Sequence, residues 1–399
     1  MKYIFALFAA LWLLTGCTSS KCEQKNNAAA IPAMQNRLLL PPVIYAVPGV
    51  ECNIYFSNIF LCINQDNFVF DVDCAKGSNG LRRWFFTPGE KDAGEYPLTI
   101  NVYNDNGLVA SGKTYIKVSP ADSGKDKAIS ILVIGDSLTN GTVYPSQLLK
   151  LTKAPGNPKL TMIGSHQGDG RKPVKGGVAH EGYPGWTWGA FLTRFNDEKL
   201  CKTPRQKFYA KSKFLTSKNG KAIFDLQQYL DKYNGGKQPD FITIQLGVND
   251  VFNAKDNNQQ KVIAAIEKNM DTMIANIRKA APNAVLGVGL VTSGAWQDAF
   301  GANYKSGQTA WQYRKNVFAL NRRMIEKFSG YQEKKLILIP ANVNLDCENN
   351  FPAVSAEANA RNVRNLLRQS NGVHPDVTGY KQMGDSFYAW LKYCLNTQK

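Results

Sequence analysis

Ser137 ends the run Ile129-Ser-Ile-Leu-Val-Ile-Gly-Asp-Ser137, an apolar, β-branched segment that stops at a turn-forming Gly-Asp and delivers a hydroxyl. Open parallel sheets bind ligands in the crevice outside the carboxyl ends of their strands, so a hydroxyl there is placed for chemistry. Far downstream, Asn371-Gly-Val-His374-Pro-Asp supplies an imidazole, and Gln245-Leu-Gly-Val-Asn249-Asp follows a second apolar run, Phe241-Ile-Thr-Ile. The chemistry these residues share is acyl transfer. A serine hydroxyl attacks a carbonyl only once a neighbouring imidazole accepts its proton, and the resulting oxyanion needs preorganised donors.

Gly135-Asp-Ser137-Leu, Gly185 in Tyr-Pro-Gly-Trp-Thr, Gly247-Val-Asn249-Asp and Val373-His374-Pro resemble the four blocks of the GDSL or SGNH hydrolases, in the family's order, and the resemblance runs from Ala128 to the C-terminus. It implies a three-layer α/β/α, flavodoxin-like domain with a mainly parallel sheet. It also implies Ser137 as nucleophile, His374 as general base, and the Ser137 N–H, Gly185 N–H and Asn249 side-chain amide as oxyanion donors. One position departs from the pattern: the family's aspartate three residues before the histidine is Asn371 here. An amide carbonyl can fix the imidazole tautomer but brings no full negative charge. Asp376 is the rival orienter. It precedes the helical pattern Val-Thr-Gly-Tyr-Lys-Gln-Met, where an aspartate is an ordinary N-cap, the favoured reading.

The elements that position these groups alternate. Strand Ile129–Ile134, helix Pro145–Leu151 and strand Leu160–Gly164 lead to a Gly-rich loop over 168–189. A helix near 222–233 precedes strand Phe241–Leu246, helix Gln260–Ala280 precedes strand Ala284–Val291, and helix Trp311–Phe328 precedes strand Leu336–Pro340. Between Leu38 and Val118 the texture changes to short β-type runs, with Asn104-Asp-Asn-Gly107 marking a tight turn, which is the spacing of a small all-β sandwich. Asp92-Ala-Gly-Glu-Tyr-Pro-Leu-Thr-Ile resembles a late strand of Ig-like modules. The expected organisation is a signal segment over 1–17, a tether over 18–37, the β-sandwich over 38–118 as a spacer, a linker over 119–127 and the catalytic domain over 128–399.

Lys2 and the apolar run Tyr3–Leu14 are too short for a membrane span of about 20 residues and read as a cleaved signal. Leu14-Thr-Gly-Cys17 resembles a bacterial lipobox, implying lipidation at Cys17, export, and anchoring to the cell envelope. Seven further cysteines permit a disulfide among Cys52, Cys62 and Cys74 and another among Cys201, Cys347 and Cys394. His166, His180 and His374 stand apart in sequence with no metal-ligand spacing, so no metal or other cofactor is expected.

The net charge of +17 is concentrated in the catalytic part: from Ala128 to Lys399 there are 36 Lys and Arg against 20 Asp and Glu. Arg171, Lys172 and Lys175 lie in the loop before Gly185, where they would steer an acidic polysaccharide or phosphorylated surface; a merely solvated basic surface is the alternative. Nucleic acid is not an expected partner for an exported protein. Tyr183 and Trp186 flank Gly185 as candidate substrate-stacking rings, whereas Trp188 and Trp296 are assigned to the core. The leading reading is a lipid-anchored esterase removing O-acetyl or other small acyl groups from a carbohydrate. A lysophospholipase or lipase, and a glycan-binding lipoprotein with a degenerate site, remain open.

Overall fold

A computed structural model describes residues 33–296, 299, 308–331 and 335–397; the expected signal segment, Cys17 and most of the tether lie outside the described residues. The β-rich N-terminal part comprises β1 (Val43–Ala46), β2 (Cys52–Tyr55), β3 (Val69–Cys74), β4 (Ser78–Asn79), β5 (Arg83–Phe86), β6 (Gly94–Asn104) and β7 (Gly107–Val118). They form a four-stranded sheet, β1-β7-β6-β3, and a three-stranded one, β2-β5-β4. The turn read at Asn104–Gly107 joins β6 to β7, with those two residues paired across the hairpin. Ile54 and Trp84 from one sheet share a core with Phe70, Ile100 and Ile116 from the other.

The catalytic part is built on a parallel sheet of β8 (Ala128–Gly135), β9 (Lys159–Ile163), β10 (Glu181–Gly182), β13 (Phe241–Gln245), β14 (Val285–Gly289) and β15 (Leu336–Ile339). Its order is β10-β8-β13-β14-β15, with β9 also paired to β8. The central strands β13 and β14 are buried along their whole length because helices cover both faces, giving the expected three layers. Helix Gln259–Ala280 buries Ile263, Ile266, Met270, Met273 and Ile277, a stripe at three- and four-residue spacing that turns one face to the sheet. Helix Val377–Thr397 packs beside helix Val143–Thr152.

The N-terminal part packs directly against the catalytic part. Alternation along β1 puts Ile44 and Ala46 in its own core but Tyr45 and Val47 in the catalytic core, where Tyr45 stacks on Tyr393 at 4.4 Å. Buried hydrogen bonds run from Asn53 to Asn344, from Asn58 to the Leu345 carbonyl and from Arg314 to the Cys62 carbonyl. The expected linker is likewise packed, since Lys392 donates to the Ala121 carbonyl at 2.6 Å. At the end of the expected tether, Met34 and Gln35 bond to Val109 and Ser111 of β7.

Two further readings are corrected, and one hairpin is new. Residues 222–224 belong to a hairpin, β11 (Leu215–Lys218) with β12 (Lys221–Phe224), and the helix begins only at Leu226, where Asp225 caps it. A second unforeseen hairpin, β16 (Ala353–Asn359) with β17 (Asn362–Gln369), stands immediately before Asn371. Cys52, Cys62, Cys74, Cys201, Cys347 and Cys394 are all free thiols, so neither of the disulfides that the sequence permits forms among them.

Candidate active site

Register alone brings three of the four blocks together. Gly135, the last residue of β8, pairs with Gly182 of β10 on one side and Gln245 of β13 on the other. Ser137, Gly185 and Asn249 therefore lie two, three and four residues beyond the same rung, on the carboxyl edge of the sheet. Gly135 has no room for a side chain, because a Cβ there would collide with Thr139 Oγ1 and the Gln245 carbonyl. The chain then turns into the one-turn helix Ser137–Asn140, capped by Asp136, whose Oδ1 accepts from the Leu138 N–H at 2.9 Å.

His374 arrives from the loop before helix Val377–Thr397, and its Nε2 lies 2.8 Å from Ser137 Oγ. Burial lowers the imidazole pKa below its usual 6.5, so the ring is neutral and able to accept a proton at pH 7. Asn371 holds this loop through the backbone: its Oδ1 accepts from the N–H groups of Val373 and His374 at 3.0 and 2.9 Å. Through these two bonds Asn371 acts on the main chain that carries the imidazole. Asp376 is the N-cap of the following helix, its Oδ1 accepting from the Thr378 and Gly379 N–H groups at 2.7 and 3.0 Å.

Tyr183-Pro-Gly-Trp186 is a turn closed by the Trp186 N–H on the Tyr183 carbonyl, with proline second and Gly185 third at φ +74°. This is the type II pattern, which favours glycine at the third place. Gly185 is exposed, and its own N–H takes no part in the turn's bond. The Asn249 amide donates to the Trp186 carbonyl at 3.0 Å and more loosely to Asp136 Oδ2 at 3.4 Å, which ties the third block to the second and first.

Tyr183 and Trp186, expected as stacking rings for substrate, are fully buried. They stack on each other at 4.2 Å and pack against Phe191, so their faces are spent on the core that supports the Gly185 turn. Trp188 is buried as expected, while Trp296 is half-buried under the Arg314 guanidinium.

Sequence reading missed the polar layer behind the site. Glu181, wholly buried, accepts from the hydroxyls of Tyr183 and Tyr229 and from Ser165, which anchors the strand leading to Gly185. Its signal was a lone charge in an otherwise uncharged stretch, 176–193. Asp136 and Asp250, unassigned within the motif blocks, are raised to about 7 by burial. Asp250 Oδ1 accepts from the Trp188 N–H at 3.1 Å, whereas its Oδ2 is sealed without a partner. His166 and His180, apart in sequence, pack edge to face at 4.6 Å, and burial depresses both to about 3. Each Nδ1 accepts a backbone N–H two residues on, from Gly168 and Gly182, so the pair shapes the loop.

A serine and a neutral histidine within proton-transfer distance, on the carboxyl edge of a parallel α/β/α sheet beside potential oxyanion donors, define a site of the serine-hydrolase class. The family model for GDSL-like lipase/acylhydrolase matches residues 131–387, and the chain belongs to that family. Among solved structures it is similar to a Clostridium thermocellum family 3 carbohydrate esterase, at 16% identity over 68% of this chain and 100% of the other, TM-score 0.37. It is similar also to a carbohydrate acetylesterase family member from Sinorhizobium meliloti, at 15% over 67% and 99%, TM-score 0.37. A lipase/acylhydrolase from Enterococcus faecalis matches at 13% over 67% and 96%, TM-score 0.34. No curated protein matches the chain.

Proposed function

We propose that this protein is a serine esterase removing small acyl groups, O-acetyl foremost, from a carbohydrate. The observation that carries the reading is the 2.8 Å contact between Ser137 Oγ and a neutral His374. Ser137 attacks the ester carbonyl as His374 Nε2 takes its proton. The N–H groups of Ser137 and Gly185 and the Asn249 amide hold the oxyanion, and the imidazolium then protonates the departing sugar oxygen. Water, deprotonated by the same imidazole, releases the acyl group. The carbohydrate assignment draws support from the polar groups beside the nucleophile's helix, where Asn140, Asp169 and Tyr209 hydrogen-bond together. Lipidation at Cys17 belongs to the same proposal and rests on the lipobox; Cys17→Ser should move the protein from the membrane to the soluble fraction.

A lipid-directed reading has one observation in its favour, the exposed Val354, Val363 and Leu367 of the β16–β17 hairpin. Hydrolysis of an aryl ester series decides between them. Acetate turned over faster than octanoate, with both abolished in Ser137→Ala, supports the proposal; preference for octanoate favours the lipid reading, and undiminished turnover in the variant overturns the nucleophile.

A further inference from the structure

Beside the Gly185 turn lies an open hollow of about 680 Å³ whose rim carries Arg194, Lys202 and Arg205 among Asn196, Thr203 and Tyr209. It adjoins the candidate site from two directions. The Arg194 guanidinium sits 5.2 Å over the ring of Trp186, the neighbour of Gly185. Tyr209, on the hollow's wall, donates to Asn140 Oδ1 at 3.0 Å, and Asn140 is three residues, about 4.5 Å of helix rise, from Ser137.

The charges are unbalanced. Among the described residues no carboxylate pairs with Arg194 or Lys202, and the Arg205–Asp169 contact is long, at 3.6 Å. The nearby Glu198 is taken by Lys211 at 2.8 Å. Cations left unpaired in a concave site attract an anion, and a guanidinium suits a carboxylate geometrically. The amide, hydroxyl and phenol groups of Asn196, Thr203 and Tyr209 suit a sugar's hydroxyls, and the exposed Leu200 beside them suits its apolar ring face.

We propose that this hollow is a subsite for a carboxylate-bearing sugar unit adjoining the esterified one, which makes the substrate an acidic glycan. The inference rests on the carbohydrate-esterase reading and deepens it.

The test compares kcat/KM on acetylated oligogalacturonate with that on acetylated xylo-oligosaccharide, for the full chain and for Arg194→Gln, Lys202→Gln and the double variant. The acidic substrate is preferred, added salt erodes the preference, and each lost cation lowers the acidic-to-neutral ratio by up to about fivefold, as an exposed ion pair allows. The ratio is insensitive to a general loss of folded enzyme. An unchanged ratio in the double variant overturns the subsite. If neither glycan is cleaved while aryl acetate is, the carbohydrate reading fails. Unacetylated oligogalacturonate as an inhibitor of aryl acetate hydrolysis then decides the hollow separately: inhibition relieved in the variants sustains an anion site, and no inhibition ends it.

Discussion

Replacing Asp250 with asparagine removes one buried charge while keeping the side chain's hydrogen bond. Oδ1 still accepts from the Trp188 N–H, and the new amide nitrogen takes the place of an oxygen that has no partner. Burial raises the carboxyl from 3.8 to about 7 in the folded protein. A group raised on folding contributes stability that is complete below its unfolded value and lost as pH rises through its folded value. For Asp250 that window runs from about pH 4 to pH 7. Three units at 1.36 kcal/mol each set an upper bound of about 4 kcal/mol. Asp250→Asn should therefore gain on the wild type by up to that amount between pH 4 and pH 8. Asp136, also raised to about 7, leaves part of the slope in both proteins. Urea unfolding followed by tryptophan fluorescence at the two pH values measures the difference. Parallel loss of stability in wild type and variant would refute the sealed-carboxylate account.

Other outcomes follow from the same geometry. Because burial lowers the His374 pKa, the acid limb of kcat/KM on aryl acetate should fall below pH 6.5, read from a pH-rate profile; a limb above it would refute burial as the dominant influence on the imidazole. Asn249→Ala should reduce kcat by roughly 10²- to 10³-fold with little change in KM, the usual loss for one oxyanion donor, read from steady-state kinetics. Asn371→Ala strands two loop N–H groups and should cost roughly 2 kcal/mol along with activity, whereas Asn371→Asp keeps both acceptor contacts and should unfold near the wild-type urea midpoint. Trp186→Ala opens a cavity under the Gly185 turn and should cost roughly 3 to 5 kcal/mol in chemical denaturation, which a solvent-facing substrate ring would not.

Local pattern carried far in this chain. The run Ile129–Ile134 and the long amphipathic stripe of 259–280 are legible because burial selects β-branched runs in sheets and three- and four-residue spacing in helices. Ser137 and Asn249 could be placed because each follows an apolar strand, whereas Gly185 and the oxyanion roles were legible only through the resemblance to the GDSL and SGNH blocks. The hairpin β16–β17 was not legible: both its faces are largely exposed and its Val and Leu residues fall irregularly among Ser, Asn, Glu and Arg, so no apolar period announces it. The same holds for the two-residue strand β10, recognisable only through its pairing with β8.

What the residues determined by themselves was the α/β alternation, the β-rich first part, and which side chains could perform acyl transfer. Tertiary structure alone decided how those side chains are used. Trp186 reads as a surface ring until Tyr183 and Phe191 close over it, and the hold of Asn371 on its loop is visible only where two backbone N–H groups meet its oxygen. The second face of β1 finds its partner 348 residues away, at Tyr393. Such outcomes depend on distant segments competing for the same contact, and one-dimensional spacing holds no record of who wins.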